Sequence, residues 1–319
     1  MRVVVKALVA GVVLLAVVAT AGVALSWAPD RTVASLSARW APPPSQFVQV
    51  QGMLVHLRDE GPRNDAEPIV LLHGTSASLH TWDGWTEVLR RERRVIRMDL
   101  PGFGLTGPHP QRDYRIPAYA DFVRAVMDQL GVQRAVIAGN SLGGEIAWMV
   151  AVRHPDRVSR LVLVDAGGYP FKAESMPIGF RLARIEALRP FIGQLLPRSM
   201  IESSVRNVYG DVSKVTPELV DRYHELTLRE GNRQALFDRF SQSPIGAHAA
   251  QIRQVRQPTL ILWGGQDRLI PPDNAQRFLA DIPGSRLQMF DDLGHVPQEE
   301  DPARTVAVLE AFLQAQPAR

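Results

Sequence analysis

The first apolar stretch of the chain has no polar rhythm. After Arg2 and Lys6, residues 7–27 carry no charge and are almost all Ala, Val, Leu and Gly. Roughly 20 such residues span a bilayer core as a helix. A cleaved signal usually has an apolar core of about 7–15 residues, so the length favours an uncleaved anchor over cleavage after Ala19-Thr20-Ala21. An all-round apolar surface also argues against a soluble core helix. With Arg2 and Lys6 held on the cytoplasmic side, residues 1–27 predict a membrane anchor or signal, with the rest of the chain periplasmic or extracellular. Trp27 then sits at the far interface. Residues 28–46 read as a juxtamembrane connector, either a short amphipathic helix on the lipid through Leu36, Arg39 and Trp40, or a plain linker, ended by Pro42-Pro43-Pro44.

Beyond residue 46 the pattern changes to short apolar runs alternating with helical periodicity. Phe47 to Val50 and Met53 to Arg58 flank Gln51-Gly52 as the arms of a β-hairpin. Strands are predicted at Ile69 to Leu72, Val95 to Met98, Arg134 to Ala138 and Val158 to Val164. Helices fall between them, at Trp82 to Arg90, Pro117 to Leu130 and Glu145 to Ala151. Uninterrupted apolar strand runs alternating with helices imply a mostly parallel sheet covered on both faces, an α/β architecture.

The alternation stops after Asp165-Ala166-Gly167-Gly168. Residues 169–250 show helical stretches, at Ile178 to Leu188, Pro217 to Arg229 and Arg233 to Phe240, and no strand. Alternation resumes with the strand Thr259 to Trp263, the helix Pro272 to Asp281, the strand Arg286 to Phe290 and the helix Pro302 to Gln314. The reading is a core of residues 47–168 and 251–319, interrupted by a helical cap at 169–250.

Chemistry enters at residues 139–144, Gly-Asn-Ser-Leu-Gly-Gly, between a strand and a helix. A strand, a tight Gly-x-Ser-x-Gly turn and a helix form a nucleophile elbow. Gly139 and Gly143 let the backbone bend and keep side chains off the turn, and Ser141 projects its hydroxyl above a helix N-terminus. A serine hydroxyl is a weak nucleophile and needs a base, itself oriented by an acid. His295 follows the last strand and Asp267 the strand before it, so Ser141, Asp267 and His295 occur in the order associated with this architecture. Asp165, at another strand end, is the alternative acid. Two backbone donors must face a developing oxyanion; the amides of Leu142 and Thr75 are the candidates, in the turn His73-Gly74-Thr75 and just after the serine. His73 is expected to brace that turn and Asp99 its own loop. Asp291 and Asp292 are expected to hold the loop of His295, and His154 to cap a helix.

Composition narrows the choice. The formal net charge is only +3 over 319 residues, with scattered basic residues, which gives nucleic-acid binding no support. There is no cysteine, excluding disulfides, thiolate metal sites and cysteine nucleophiles. The proposed chemistry requires no cofactor or metal, and no motif implies a protein partner.

Five stretches in order, Leu72-His73-Gly74-Thr75, Asp99 to Gly104, Gly139 to Gly144, Trp263 to Asp267 and Gly294-His295, resemble the α/β-hydrolase superfamily. The resemblance covers about residues 47–316 and implies an α/β-hydrolase fold with a serine nucleophile. It assigns supporting roles to His73, Gly74, Asn140 and Gly143. A serine at 141 argues against the branches with a carboxylate nucleophile. Asn140 and Gly144 around the motif look like carbon–carbon hydrolases of ring meta-cleavage products, and equally like membrane-anchored lipases and esterases.

The leading expectation is a carboxylesterase or lipase acting on small apolar esters beside the membrane. A cap rich in Met176, Ile178, Phe180, Phe191, Ile192, Leu195, Leu196, Met200 and Ile201 suits an acyl chain, although most of these residues are expected to pack the cap onto the sheet. The alternative enzyme is a carbon–carbon hydrolase, which needs a cation in the cap for the substrate carboxylate; Arg229, Arg233 and Arg239 are the candidates. A non-catalytic, membrane-tethered ligand-binding protein is the remaining class.

Overall fold

In a computed structural model, which describes residues 2–188 and 193–315, the apolar runs become the strands of one sheet. They are β1 (Gln46–Val50), β2 (Met53–Glu60), β3 (Ile69–Leu72), β4 (Val95–Met98), β5 (Ala135–Asn140), β6 (Val158–Val164), β7 (Thr259–Gly264) and β8 (Arg286–Phe290). Their spatial order is β1-β2-β4-β3-β5-β6-β7-β8. Only β2 runs against its neighbours; the pairings from β4 to β8 are parallel. Gln51 and Gly52 both have positive φ (48° and 80°), as required by the two-residue turn whose twist suits a hairpin.

The helices before the cap are α1 (Arg2–Ser26), α2 (Val33–Trp40), α3 (Asp83–Leu89), α4 (Ile116–Gln129) and α5 (Leu142–Arg153). The cap carries α6 (Ile178–Leu182), α7 (Arg198–Val208), α8 (Pro217–Thr227) and α9 (Asn232–Gln242). After it come α10 (Asp273–Asp281), α11 (Pro297–Glu300) and α12 (Pro302–Gln314). β3, β4, β5 and β7 are buried throughout, because successive side chains enter opposite cores. Val70 and Leu72 join the core under α4, α5 and α10, and Ile69 and Leu71 the core under α3 and α12. Each such Val or Leu contributes about 1.5–3 kcal/mol by leaving water.

Three expectations change. The stretch Ile178 to Leu188 is broken into α6 and a 3-10 turn at Glu186–Leu188. The helix α7 was not legible, because among its residues only Val205 is buried and its apolar Met200 and Ile201 face a cavity. The helix expected from Trp82 begins earlier, as a 3-10 turn at Leu79–Trp82 leading into α3. Phe191 and Ile192 lie outside the described residues.

Within the connector, Val33–Trp40 forms the helix α2. The apolar face of α2 is spent on the protein: Leu36 is fully buried against Leu105 and Leu226. Arg39 pairs with Asp221 and Glu225, and the Trp40 indole donates to Glu225 at 2.6 Å. Among the described residues no helix is long and apolar enough to cross a membrane, so the anchoring expected of residues 1–27 rests on the sequence.

Candidate active site

Strand order places the elbow centrally. β5 lies between β3 and β6, so the loops following β3, β5, β6, β7 and β8 gather at one edge. Ser141 follows β5 directly, at φ 55° and ψ −115°. The left-handed residue is thus the serine itself, and the glycines serve close approach. A Cβ on Gly139 would lie 2.1 Å from the Gly143 carbonyl oxygen, and one on Gly143 2.1 Å from that of Leu72. Gly144 meets Ala166 in the same way, at 2.5 Å. No side chain fits at any of the three without moving backbone.

Of the sequence candidates, His295 and Asp267 are joined directly. His295 Nδ1 and Asp267 Oδ2 are 2.7 Å apart, and both residues are buried. Asp267 Oδ1 accepts the amides of Leu269 and Ile270 at 2.8 and 2.9 Å. With Asp267 as the acceptor of Nδ1–H, the lone pair of the imidazole is left on Nε2. Ser141 and His295 line one cavity. Asn140 supports this arrangement: its Nδ2 donates to the Val164 and His295 carbonyls at 3.1 and 2.9 Å, tying β5 to the histidine loop.

His73 braces the preceding turn, as expected. Its Nδ1 donates to the Gly74 carbonyl at 2.7 Å and its Nε2 accepts the Leu100 amide at 2.9 Å; burial holds its pKa below the usual histidine value. The turn is closed by Ala77 N–H to the Gly74 carbonyl, a bond that leaves the Thr75 amide unused. A Cβ on Gly74 would stand 3.1 Å from the Ser141 Cβ, tight enough to press on the serine. Leu142 is the first residue of α5, where helical amides have no intrahelical partner. Thr75 and Leu142 share a second cavity with Ser141.

Other assignments divide. Asp99 does hold its loop, accepting the amides of Leu79 and Leu105 and binding His56 Nδ1 at 2.7 Å. His154 is the C-cap of α5 and contacts Asp121. Asp291 and Asp292 do not hold the histidine loop: Asp292 pairs with the exposed Arg304. Glu300 does this instead, accepting the Gly294, Gly210 and Asp211 amides at 2.8, 3.0 and 2.7 Å. Asp165 makes no contact that displaces Asp267 as the partner of His295; its Oδ1 accepts the Gly264 amide. Asp165, Asp267 and His295 present atoms within 4.8 Å of one another. Asp267 and His295 already spend theirs on the bonds above.

The first cavity, about 300 Å³, runs from Ser141 and His295 into the cap. Phe180, Leu195, Leu196, Met200 and Ile201 line it, while Phe180 also packs on the sheet core and Leu196, Met200 and Ile201 pack with Ala28 and Leu228. Ser26 lines it too, at the end of α1. Arg233 is the one cation named from the sequence that reaches this cavity, and its Nη2 is held by Asp30 at 2.5 Å. Arg229 turns toward Glu230 and Thr106.

The second cavity, about 70 Å³, holds Arg239, one of the cations named from the sequence, beside two groups that sequence reasoning missed, Glu145 and Arg184. Arg184 and Arg239 each stand 5.1 Å from the Phe240 ring centroid. Arg239 is buried and its Nε has no hydrogen-bond partner. Burial pushes the Glu145 carboxyl up to about 7, partly opposed by Arg239. A lone acid in the otherwise apolar opening of α5 is the signal that marks Glu145 in the sequence.

These features agree with the known proteins the chain resembles. A family model for the α/β-hydrolase fold matches residues 67–302. A 2-hydroxy-6-oxo-2,4-heptadienoate hydrolase of Pseudomonas putida is 30% identical over 85% of this chain and 96% of its own. The solved structure of a meta-cleavage product hydrolase from Pseudomonas fluorescens superposes with a TM-score of 0.71 at 25% identity, covering 84% of this chain and 96% of that one. The structure of a bacterial membrane phospholipase A superposes with a TM-score of 0.72 at 25% identity, covering 97% and 98%. A matched fold model over most of the chain and a matching eight-stranded sheet lead to one conclusion: the chain belongs to the α/β-hydrolase family.

Proposed function

We propose that this hydrolase cleaves carboxylic esters of apolar acyl groups through an acyl-enzyme on Ser141. The observation that carries the reading is the apolar chamber of about 300 Å³ that opens onto Ser141 and His295 and is walled by cap side chains. Its size falls at the lower end of small-molecule sites. His295 Nε2 takes the Ser141 proton as Oγ attacks the ester carbonyl, and the Leu142 and Thr75 amides receive the oxyanion. His295 then protonates the leaving alcohol. Water, deprotonated by His295, attacks the acyl-enzyme and releases the acid, while Asp267 holds the imidazole tautomer and stabilises the imidazolium. The uncharged residues 7–27 behind Arg2 and Lys6 support attachment to a membrane, with the catalytic domain outside the cytoplasm. The near-complete overlap with a membrane phospholipase A supports the same placement.

A second reading, hydrolysis of a carbon–carbon bond in meta-cleavage-type diketones, is favoured by the named relatives and by Arg239 beside Ser141 in the smaller cavity. The two separate on substrates. The ester reading expects turnover of p-nitrophenyl esters that rises with acyl length and disappears in Ser141→Ala. Met200→Trp, which fills the apolar chamber, should move the optimum to shorter acyl groups and lower kcat/KM on the longest by about tenfold, the cost of one lost apolar fit. Rapid turnover of a 6-oxo-dienoate with no turnover of any ester would sink the ester reading. In that case Arg239→Met should raise KM for the dienoate and leave neutral substrates unaffected.

A further inference from the structure

No step above uses Asp165, although it stands at the end of β6 beside the acid–imidazole pair. It is fully buried and has φ 44°, a left-handed conformation that Asp and Asn tolerate better than most residues. Its Oδ1 accepts the Gly264 amide at 3.0 Å, and its Oδ2 is buried without a hydrogen-bond partner. Oxygens of the Asp165 and Asp267 carboxyls lie within 4.8 Å of each other. Two carboxylates this close in a dry interior do not both ionise. The donors decide which one keeps the charge. Asp267 accepts three, from Leu269, Ile270 and His295, whereas Asp165 accepts one.

We infer that Asp165 is a neutral carboxylic acid whose Oδ2–H donates to Asp267, making it a positioning residue that sets the basicity of His295 through Asp267. Burial and the neighbouring Asp267 both push its pKa well above the usual carboxylate range, in agreement. The proton stays on Asp165 through the cycle; what it changes is the charge Asp267 presents to Nδ1. Glu300 of α11 is the other acid facing Asp165, and Tyr223 of α8 and Arg233 of α9 share the cavity of His295. The inference rests on the proposed role of His295 as the base of Ser141.

The test follows the rate at which a fluorophosphonate labels Ser141 as a function of pH, with the site of labelling read by mass. The probe needs an activated serine and no particular substrate. Absence of Ser141 labelling in the wild type at any pH overturns the serine-hydrolase reading, and this inference with it. Where the wild type labels, Asp165→Asn retains both a donor toward Asp267 and an acceptor for Gly264, and should keep the acid limb within about 0.3 pH units. An ionised Asp165 predicts instead that the neutral amide lowers the limb by about one unit, because a charge beside the pair is lost. Asp165→Leu removes the donor, leaves Asp267 more negative, and should raise the limb by about one unit. A fall in Asp165→Asn, or an unshifted limb in a folded Asp165→Leu, overturns the inference. If Asp165→Leu does not fold, Asp165→Asn still decides the protonation state. Labelling at the wild-type rate in Asp267→Asn would show Asp165 to be the acid itself, and overturn it too.

Discussion

Ser141 holds a backbone conformation, φ 55° and ψ −115°, of the kind that costs a non-glycine residue on the order of 1–3 kcal/mol. The surroundings enforce it: the Ser141 amide donates to Val164, and its carbonyl accepts from Glu145 and Gly167. Under the proposed mechanism this strain positions the Ser141 hydroxyl for attack. Ser141→Ala should therefore lower kcat by about 10⁴-fold or more with little change in melting temperature. Asp267→Asn should cost about 10⁴-fold through the wrong imidazole tautomer. Glu145 supplies a pH signature. Its folded pKa of about 7 lies above the ordinary 4.5, so the stability tied to its neutral carboxyl is complete below about pH 4.5 and is lost as pH rises through 7. Glu145→Gln stays neutral throughout. Urea denaturation should show the variant gaining about 3 kcal/mol on the wild type between pH 4.5 and 8. Parallel stability curves would mean that the carboxyl is not desolvated.

Among the elements, the histidine loop is the part whose support was least legible. The strands were readable because β3, β5, β6 and β7 need apolar residues on both faces, and the triad candidates followed from where those strands end. The residues that hold the loops were not, since an acid two turns of chain away marks no period: Asp291 and Asp292 adjoin His295 in sequence, yet Glu300 binds the Gly294 amide. It also binds Gly210 and Asp211 behind α7, so one carboxylate joins the cap to the catalytic loop. Glu300→Ala leaves three amides without it. Gly210 and Asp211 are exposed, so their amides can turn to water, and only the Gly294 amide stays buried. At about 1–3 kcal/mol for a buried group left unsatisfied, the variant should lose about 1–3 kcal/mol of stability, and kcat should fall with it. Stability unchanged in urea would contradict this role. The cap helices were placed only coarsely because their apolar residues serve a cavity, which imposes no complete buried face.

At the scale of the whole molecule, the segment after α1 is part of the cap's structure. The Ala28 amide donates to the Gln194 carbonyl, the Leu196 amide to that of Ser26, and the Arg31 amide to that of Leu228. Asp30 binds Arg233, and Leu36 is buried beneath. Hydropathy alone divides the chain at residue 27, but hydrogen bonding divides it before Ser26. Chains starting at residue 25 should keep the melting temperature of the full protein, whereas chains starting at residue 32 should melt lower. Leu36→Ala should cost about 2–5 kcal/mol, as for other buried leucines. Equal melting of the two truncations would mean that the segment only rests on the cap.

The most direct test of serine acylation is a rapid-mix experiment with a p-nitrophenyl ester, followed by peptide mass analysis of the quenched protein. Acyl transfer to Ser141 predicts a burst of p-nitrophenolate approaching one per chain, an acyl group on the peptide containing Ser141, and loss of both in Ser141→Ala. An acyl group on another residue, or an undiminished burst in Ser141→Ala, would contradict it.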